Sequence, residues 1–519
     1  MTTGLFCAMV ALDTMVTCLP GSITRATETT DSTSLTIYST ATPGAIPPEM
    51  YKPGLQQGTY GVQWRKQIPG YAIVKQERTV DFPKDRLTIR FTDVASEIEP
   101  TTVRFSSLTD PEGTRVLEQN YEFDLVSTQK LMEKFLDRQI VVEQAHGDKL
   151  DTVKGKLLSA IGGIVLQDES GGVQVISGYS NIRFPELPGG LITKPTLVWN
   201  VVTAKPGKQQ ARVTYETKAM TWWADYNVVF APGQDANSGL LDIGAWVSII
   251  NQSGATFPEA KLKLIAGNVH RAPQPSLSRA RELSSRTVAK FKGGGDGFAE
   301  KSFFEYHLYT LGRRTTLPNN STKQIELFPA ARSVPCEKVM VYYGQAGAYY
   351  GVYGSPMMDR NFGLQSNKKV DIYLRFKNEK KVGMGMPLPS GRIRVSKLDP
   401  ADNSLEFIGE DTIDHTPKDE EVLIKLGSAF DVVGERRQVD FSVDSRRNTM
   451  TETIEIKLRN HKDEKVKVIV KENLYRWTNW EITQKSHAFK KIDSRTIHFP
   501  LEIPKDGEAT VTYTVRYSW

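Results

Sequence analysis

From Tyr71 onward the chain alternates. In "YAIVKQERTVDFP", "DRLTIRFTDV", "TTVRFSSLTD" and "TRVLEQNYEFD" apolar and polar residues trade places at nearly every step, the period of a pleated strand with one face buried and the other in water. One window departs from it. "STQKLMEKFLDRQ", 127–139, sets Leu131, Met132, Phe135 and Leu136 on one stripe behind a Ser/Thr start, which predicts a helix. The pattern therefore places an N-terminal β domain with one helix over 71–139. Over 140–190 it packs short strands between Gly-rich or polar turns, too little chain for a wide sandwich, so a small barrel-like β unit is expected. Alternating segments continue over 191–519 and predict one or two C-terminal β-sandwiches. Upstream, 31–70 reads as a Pro/Gly-rich linker with one strand, Leu35 to Tyr38, and 1–30 as a leader. The expected fold class is mainly β: a multidomain, antiparallel β-sandwich architecture.

An internal echo runs through the C-terminal region. "WVSIINQSGATFPEAKLKL", "IYLRFKNEKKVGM" and "IEIKLRNHKDEKVKVIV" each carry an alternating strand into Asn251, Asn378 or Asn460, turn through polar residues and resume extended structure. Asparagine suits such a position because its side chain hydrogen-bonds nearby backbone and tolerates a left-handed conformation. The repetition predicts hairpins in sandwich-like layers and is too loose to define duplicated domains. Between the first two echoes, 272–297 carries Arg279, Arg281, Arg286, Lys290 and Lys292 among Ser, Pro and Gly. It reads as a mobile, solvated basic insertion, with a tether for an anionic partner as the sharper alternative.

At 519 residues the chain exceeds what a single core serves, and roughly three or four folded units are expected. The composition, 39% hydrophobic and 24% charged, is that of a soluble globular protein. Its net charge of +6, from 66 bases and 60 acids interleaved along strands, gives no reason to expect a nucleic-acid partner. No apolar run is long enough for an interior transmembrane helix. The opening "GLFCAMVALDTMVTCLPGS" has the apolar stretch and small residues of a secretory leader, although no Lys or Arg precedes it and Asp13 interrupts it. An extracytoplasmic location, periplasmic or at the cell surface, is expected. Cleavage would remove Cys7 and Cys18 and leave Cys336 without an internal disulfide; Cys18 is a candidate for lipidation, with Thr17 before it where a smaller residue is usual.

Six segments taken in order carry a resemblance. "TWWADYNVVF", "LDIGAWVSIINQSGATFPEAKLKLIAGNVHRA", "FFEYHLYTLGRRTTLPNNSTKQIELF", "GMGMPLPSGRIRV", "FIGEDTIDHTPKDEEVLIKLGSAFDVVGERR" and "LRNHKDEKVKVIVKENLYRWTNWEI" resemble the bacterial family known as domain of unknown function 4139, whose members are described as mucoidy-inhibitor-A-like. The resemblance spans about 196–519. It implies an extracytoplasmic β-rich protein with no established reaction or cofactor, and so supplies no catalytic residue. Members with a long N-terminal coiled coil differ from this chain, which has only the 127–139 helix.

Candidate chemistry is sparse. There is no G-x-S-x-G elbow, and the histidines at 146, 270, 307, 415, 461, 487 and 498 form neither an H-E-x-x-H nor a Cys/His zinc spacing, so no metal or cofactor is expected. "GGGDG" at 293–297 lacks the Lys-Ser/Thr of a phosphate loop and reads as a joint. "NNST" at 319–322 contains overlapping glycosylation sequons, relevant only in a glycosylating host. The best acidic constellation is Glu410, Asp411, Asp414, His415 and Asp419, with Glu420 and Glu421; converging carboxylates of this kind bind calcium or serve as acid and base, while a solvated turn at Pro417 is the plainer alternative. In "TWWADYNVVF" strand parity puts Trp222, Ala224, Tyr226, Val228 and Phe230 on a core face and Trp223, Asp225 and Asn227 on the other. That second set is the composition sugar rings and peptides favour; a Trp with its indole satisfied locally is the commoner outcome. Trp477 and Trp480 form a weaker candidate. The ending "VTYTVRYSW" resembles an outer-membrane barrel strand, but the segments upstream lack the even spacing of such barrels. The expected function is a non-enzymatic cell-envelope protein binding protein or polysaccharide; the alternatives are a carboxylate-dependent hydrolase of envelope glycan or peptide, and an outer-membrane β-barrel.

Overall fold

The computed structural model describes residues 23–25, 32–38, 68–83, 85–124, 126–146, 149–161, 163–186, 188, 191–267, 269, 271, 298–303, 306–344, 354–364 and 366–519. Within them the chain is mainly β, in several sheets none of which closes into a barrel, with one α-helix. The basic insertion 272–297, Cys7, Cys18 and most of the leader and linker lie outside the described residues. The linker strand is present as Ser32–Tyr38. Contacts gather into two compact units rather than three or four: Met1–Leu35, Ile73–Lys218 and Ser253–Ala260 in the first, Thr36–Ala72, Ala219–Gln252 and Lys261–Trp519 in the second.

The first unit is a two-layer sandwich carrying a smaller sheet. In one layer Tyr71–Phe82 lies beside Gly207–Lys218, which pairs with Ile98–Ser107; in the other Arg86–Thr92 pairs with Thr196–Val202, which pairs with Arg115–Glu122. Alternation buries Val74, Val80 and Phe82 from the first layer and Leu87, Ile89 and Phe91 from the second. The layers meet where the Phe105 and Trp199 rings approach to 5.2 Å and where the Arg78 guanidinium lies 3.8 Å from the Phe91 centroid.

The compact unit expected over 140–190 is an open antiparallel sheet with two edges, ordered Val173–Ile176, Ile164–Gln167, Lys149–Ser159, Gln139–His146, Asn181–Arg183. The helix beside it is Thr128–Lys134, capped where Ser127 Oγ accepts from the Lys130 amide at 3.2 Å. It stops short of residue 139 because Asp137 takes a left-handed φ of 64° and Gln139 begins a strand. Phe135 packs on Ile140, Val142, Leu157 and Leu166 as a local core, while Leu136, expected on the same stripe, is exposed.

In the second unit one hydrogen-bonded path runs Leu405–Ile413, Gly391–Leu398, Met220–Pro232, Ser238–Asn251, Ser321–Tyr343, Lys369–Lys377, Glu421–Asp444, Thr449–Asn460, Gly507–Ser518, Trp480–Lys485. Met220–Pro232 and Gly391–Leu398 are parallel, and the other neighbours on the path antiparallel. Two strands are long. Ser321–Tyr343, of 23 residues, pairs first with Ser238–Asn251 and then with Lys369–Lys377; Glu421–Asp444, of 24, pairs first with Lys369–Lys377 and then with Thr449–Asn460. The C-terminal core buries Ile454, Ile456, Val468, Phe499, Val511 and Tyr513. The terminal set Val511, Tyr513, Val515 and Tyr517 thus faces protein, and among the described residues no sheet closes into a barrel. Among the described residues no helix is long and apolar enough to cross a membrane.

The three echoing asparagines are one device used three times. Asn251 Nδ2 donates to the carbonyls of Leu317 (3.2 Å) and Pro318 (3.0 Å), Asn378 Nδ2 to Met386 (2.7 Å) and Pro417 (3.0 Å), and Asn460 Nδ2 to Glu464 (2.9 Å) and Pro504 (2.8 Å). All three are buried. Two residues after each proline stands the left-handed residue of the turn: Asn320, Asp419 or Asp506, with φ of 53°, 64° and 43°. The next strand then begins opposite the asparagine, with Asn251 in register with Ser321 and Asn460 with Gly507. The left-handed position expected of the echoing asparagine belongs instead to the second residue after the proline.

Candidate functional site

Met220–Pro232 keeps the predicted parity. Trp222, Ala224, Tyr226, Val228 and Phe230 are buried, and Tyr226 donates to the Pro389 carbonyl at 2.7 Å, burial holding its phenol well above the ordinary range. On the other face the outcome differs along the strand. Trp223, 8% exposed, is covered by Ile68 and Ile250 and donates its indole NH to Asp225 Oδ2 at 2.7 Å. Asp225, 9% exposed, also accepts from Ser248 Oγ (3.1 Å) and Arg394 Nη1 (3.4 Å). These two are therefore packing and hydrogen-bonding partners rather than an open platform, because the chain near Ile68 closes the upper end of the face. Asn227 remains exposed.

Register shows what surrounds Asn227. Antiparallel pairing sets Trp223, Asp225, Asn227 and Val229 opposite Ser248, Trp246, Gly244 and Asp242. Parallel pairing sets Asp225, Asn227 and Val229 beside Arg392, Arg394 and Ser396, and Arg394 pairs in turn with Glu410. On the far side Ser248 and Trp246 face Gln324 and Glu326. The aromatic of this face is thus Trp246, 40% exposed, beside a glycine. A Cβ built on Gly244 would meet only the Asn227 carbonyl, at 3.8 Å, so the space over it is open. A β-bulge sits where Trp246 pairs: the register slips between Ala245 and Trp246, and Phe328 and Glu326 oppose them with buried Leu327 between.

The polar groups around this floor are held in place. Asp225 gathers Trp223, Ser248 and Arg394; Gln324 Nε2 reaches Ser248 Oγ at 3.1 Å; Arg394 Nε lies 3.5 Å from Glu410 Oε2. Arg394 and Glu410 remain partly exposed, so their bridge is weak and their spare valences face outward. At the lower rim Leu398 pairs with Leu405 and Ser396 with Phe407, and Leu398, Leu405 and Phe407 are exposed. Sequence reasoning missed Trp246 because "GAWVSII" reads as a buried run. The one local signal was the glycine two residues before it.

The acidic constellation is dispersed into separate tasks. Glu410 joins the sheet face through Arg394. Asp411 is structural: its Oδ1 accepts from the Thr412 amide (2.8 Å) and its Oδ2 from the Lys425 amide (2.7 Å). Asp414 offers its carbonyl to Thr416 Oγ1 at 2.9 Å, and Asp419 is the left-handed turn residue after Pro417. Among the described residues no three His, Cys, Asp or Glu gather as a metal cage. His415 Nδ1 accepts from the Ser390 amide at 3.1 Å, a bond only the unprotonated nitrogen makes. Although the residue as a whole stays exposed, partial desolvation of its ring, and then His307 nearby, hold the imidazole below the ordinary 6.5. Because the unfolded chain then takes up the proton first, this contribution to stability is full above pH 6.5 and is lost as pH falls through the lower folded value. His415→Gln is expected to flatten the fall in thermal midpoint below pH 6.5, read by calorimetry across pH 4.5–8; an unchanged slope would contradict it.

Trp477 and Trp480 pack on the C-terminal core; Trp480 donates to the Ser494 carbonyl at 2.7 Å and lies under the Lys491 ammonium at 4.6 Å. Cys336 is a free, buried thiol, and burial pushes it up to about 12, well out of the reactive range. No family model matches the chain, and neither a curated protein nor a solved structure matches it.

Proposed function

We propose that this chain is a non-enzymatic, extracytoplasmic cell-envelope protein that uses the open sheet face around Trp246 to bind polysaccharide. The observation that carries the reading is a partly exposed indole standing beside an unfilled glycine floor, with Asn227, Arg394, Glu410, Gln324 and Glu326 around it. A pyranose ring offers a flat C–H face to an aromatic plane and hydroxyls to surrounding amides, guanidinium and carboxylates. Strands hold these groups at fixed spacing, so little is lost in ordering them on binding. The leader-like opening and the family resemblance support the compartment. A protein partner is the other occupant such a face would take, and the exposed Leu398, Leu405 and Phe407 at its rim are where one would show preference.

Isothermal titration against cell-wall and capsular glycans tests the proposal. Truncating a central aromatic costs on the order of 2 kcal/mol, so Trp246→Ala is expected to weaken binding about 30-fold. Gly244→Thr is expected to abolish it without lowering stability, since the added side chain enters open space and threonine suits a strand. Trp223→Ala is expected instead to lower stability through the lost packing on Ile68 and Ile250. No heat with any glycan, or a Trp246→Ala protein binding as the parent does, would end the reading. Turnover of a glycan would overturn the non-enzymatic half of it.

A further inference from the structure

A second sheet face in the second unit carries positive charge without partners. Register sets Lys490 opposite His498, His498 opposite Lys471, and Lys471 beside Tyr343; one step beyond the Tyr342 and Val370 pair, Tyr343 stands beside Lys369. Residues in register point to the same side of a sheet, so these five side chains form one row across five strands. With strands about 4.8 Å apart the row is about 19 Å long, and a lysine recurs at every second strand. All five meet solvent at least in part. Other lysines of this sheet are matched, Lys425 by Asp371 at 2.6 Å and Lys467 by Glu502 at 4.0 Å. Among the described residues no carboxylate stands within ion-pair distance of Lys369, Lys471 or Lys490. The acid that acts on the row, Asp493, has its Oδ1 taken by the amides of Arg495 and Thr496, each at 2.8 Å. His498 registers the resulting field: desolvation first and then Lys471 hold its imidazole below the ordinary 6.5, with Asp493 opposing and Lys490 adding.

Tyrosine adds a donor to the row. The Tyr343 and Tyr373 hydroxyls lie 3.3 Å apart, and one bond between them uses one proton, so the other phenol proton is left to donate elsewhere. Burial pushes the Tyr343 phenol up to about 12, which keeps that proton in place. Lys471 Nζ stands 5.4 Å from the centroid of the Tyr343 ring, and an ammonium beside a phenol holds a carboxylate by charge and by hydrogen bond together. Lysines repeated along a line suit a chain that repeats its charge better than one small anion. Nucleic acid is such a chain, but single strands bind by stacking bases on open aromatic planes. Here a lysine stands over each ring, Lys471 at Tyr343 and Lys425 at 6.0 Å from the Tyr373 centroid.

We infer that this row binds a linear acidic polysaccharide, its carboxylates on Lys369, Lys471 and Lys490, one of them also accepting from the tyrosine pair. The site shares no residue with the face around Trp246. Polygalacturonate is the probe, titrated calorimetrically into the full chain at several salt concentrations, beside its methyl ester, which is the same chain without the charge, and oligothymidylate. Polygalacturonate is expected to bind more weakly as salt rises, and the ester at least about tenfold more weakly than the acid. Each of Lys369→Gln, Lys471→Gln and Lys490→Gln is expected to weaken binding about 3- to 5-fold, and the triple variant roughly 30- to 100-fold. The same change at Lys154, Lys194 and Lys505, exposed lysines outside the row, is expected to cost less than about twofold. Tyr343→Phe combined with Tyr373→Phe is expected to weaken binding about 3- to 10-fold without altering its salt dependence. The triple lysine variant is expected to bind as the parent does any uncharged glycan that Trp246→Ala weakens, so either face can fail alone. No heat with polygalacturonate, an ester that binds as the acid does, equal losses from the lysines outside the row, or tighter binding of oligothymidylate would overturn the inference.

Discussion

Glu472→Leu is expected to destabilise the second unit by about 3–5 kcal/mol. Glu472 is fully buried, accepts from Arg436 Nε at 2.9 and 3.2 Å, and accepts from the Tyr513 hydroxyl at 2.5 Å. Burial, and then the neighbouring carboxylate, hold the Tyr513 phenol well above its ordinary range, so it stays a donor at any physiological pH. Removing the carboxylate strands a cation and a hydroxyl together in the core. Most of the loss comes from the orphaned Arg436 rather than from the attraction itself, so Arg436→Met combined with Glu472→Leu is expected to recover the greater part of it. Urea denaturation, followed by a probe in each unit because two compact units need not unfold in one step, measures both. A double variant as unstable as Glu472→Leu alone would show that the pair is not the source.

Asn460→Ala carries the second large effect. The side chain answers the carbonyls of Glu464 and Pro504 and the amide of Lys462, the last at 3.1 Å. Alanine leaves all three backbone groups unmet beside a closed turn, and at about 1–3 kcal/mol for each group that is left dry, a net loss of about 2–4 kcal/mol is expected. Asn460→Asp keeps the acceptor but sets a carboxylate against two carbonyl oxygens, so it is expected to be no better than alanine. Hydrogen exchange would show the damage as faster exchange at Lys462 and Asp506, whose amide donates to the Lys462 carbonyl. An aspartate variant near wild-type stability would mean that the two donated bonds contribute little.

These cases show where local pattern sufficed. Gly507–Ser518 alternates so regularly that Val511, Tyr513, Val515 and Tyr517 could be assigned to one buried row from parity alone. The echo at Asn251, Asn378 and Asn460 was visible, because a strand running into asparagine is a local feature. Its partners were not: Pro318, Pro417 and Pro504 stand 67, 39 and 44 residues further on, and only folding brings them back. Asp419 looked like one acid among several until its φ placed it in the turn that follows Pro417. The same limit governs the sheet face. Parity put Trp223, Asp225 and Asn227 on one side correctly, but which of them meets solvent depends on Ile68 packing from elsewhere in the chain. Trp246 is exposed beside Gly244 and opposite a bulge; the glycine is encoded two residues before it, but the bulge lies on a partner strand distant in sequence.

The strands Ser321–Tyr343 and Glu421–Asp444 have a consequence for anyone who would dissect the molecule. Each is shared between successive sets of partners, like a stitch passing through two layers of cloth. A shortened chain that begins or ends within 321–444 would therefore expose half a strand with nothing to lie against, an adhesive edge inviting aggregation. Fragments of the second unit are best made by trimming its termini, not by cutting through its middle.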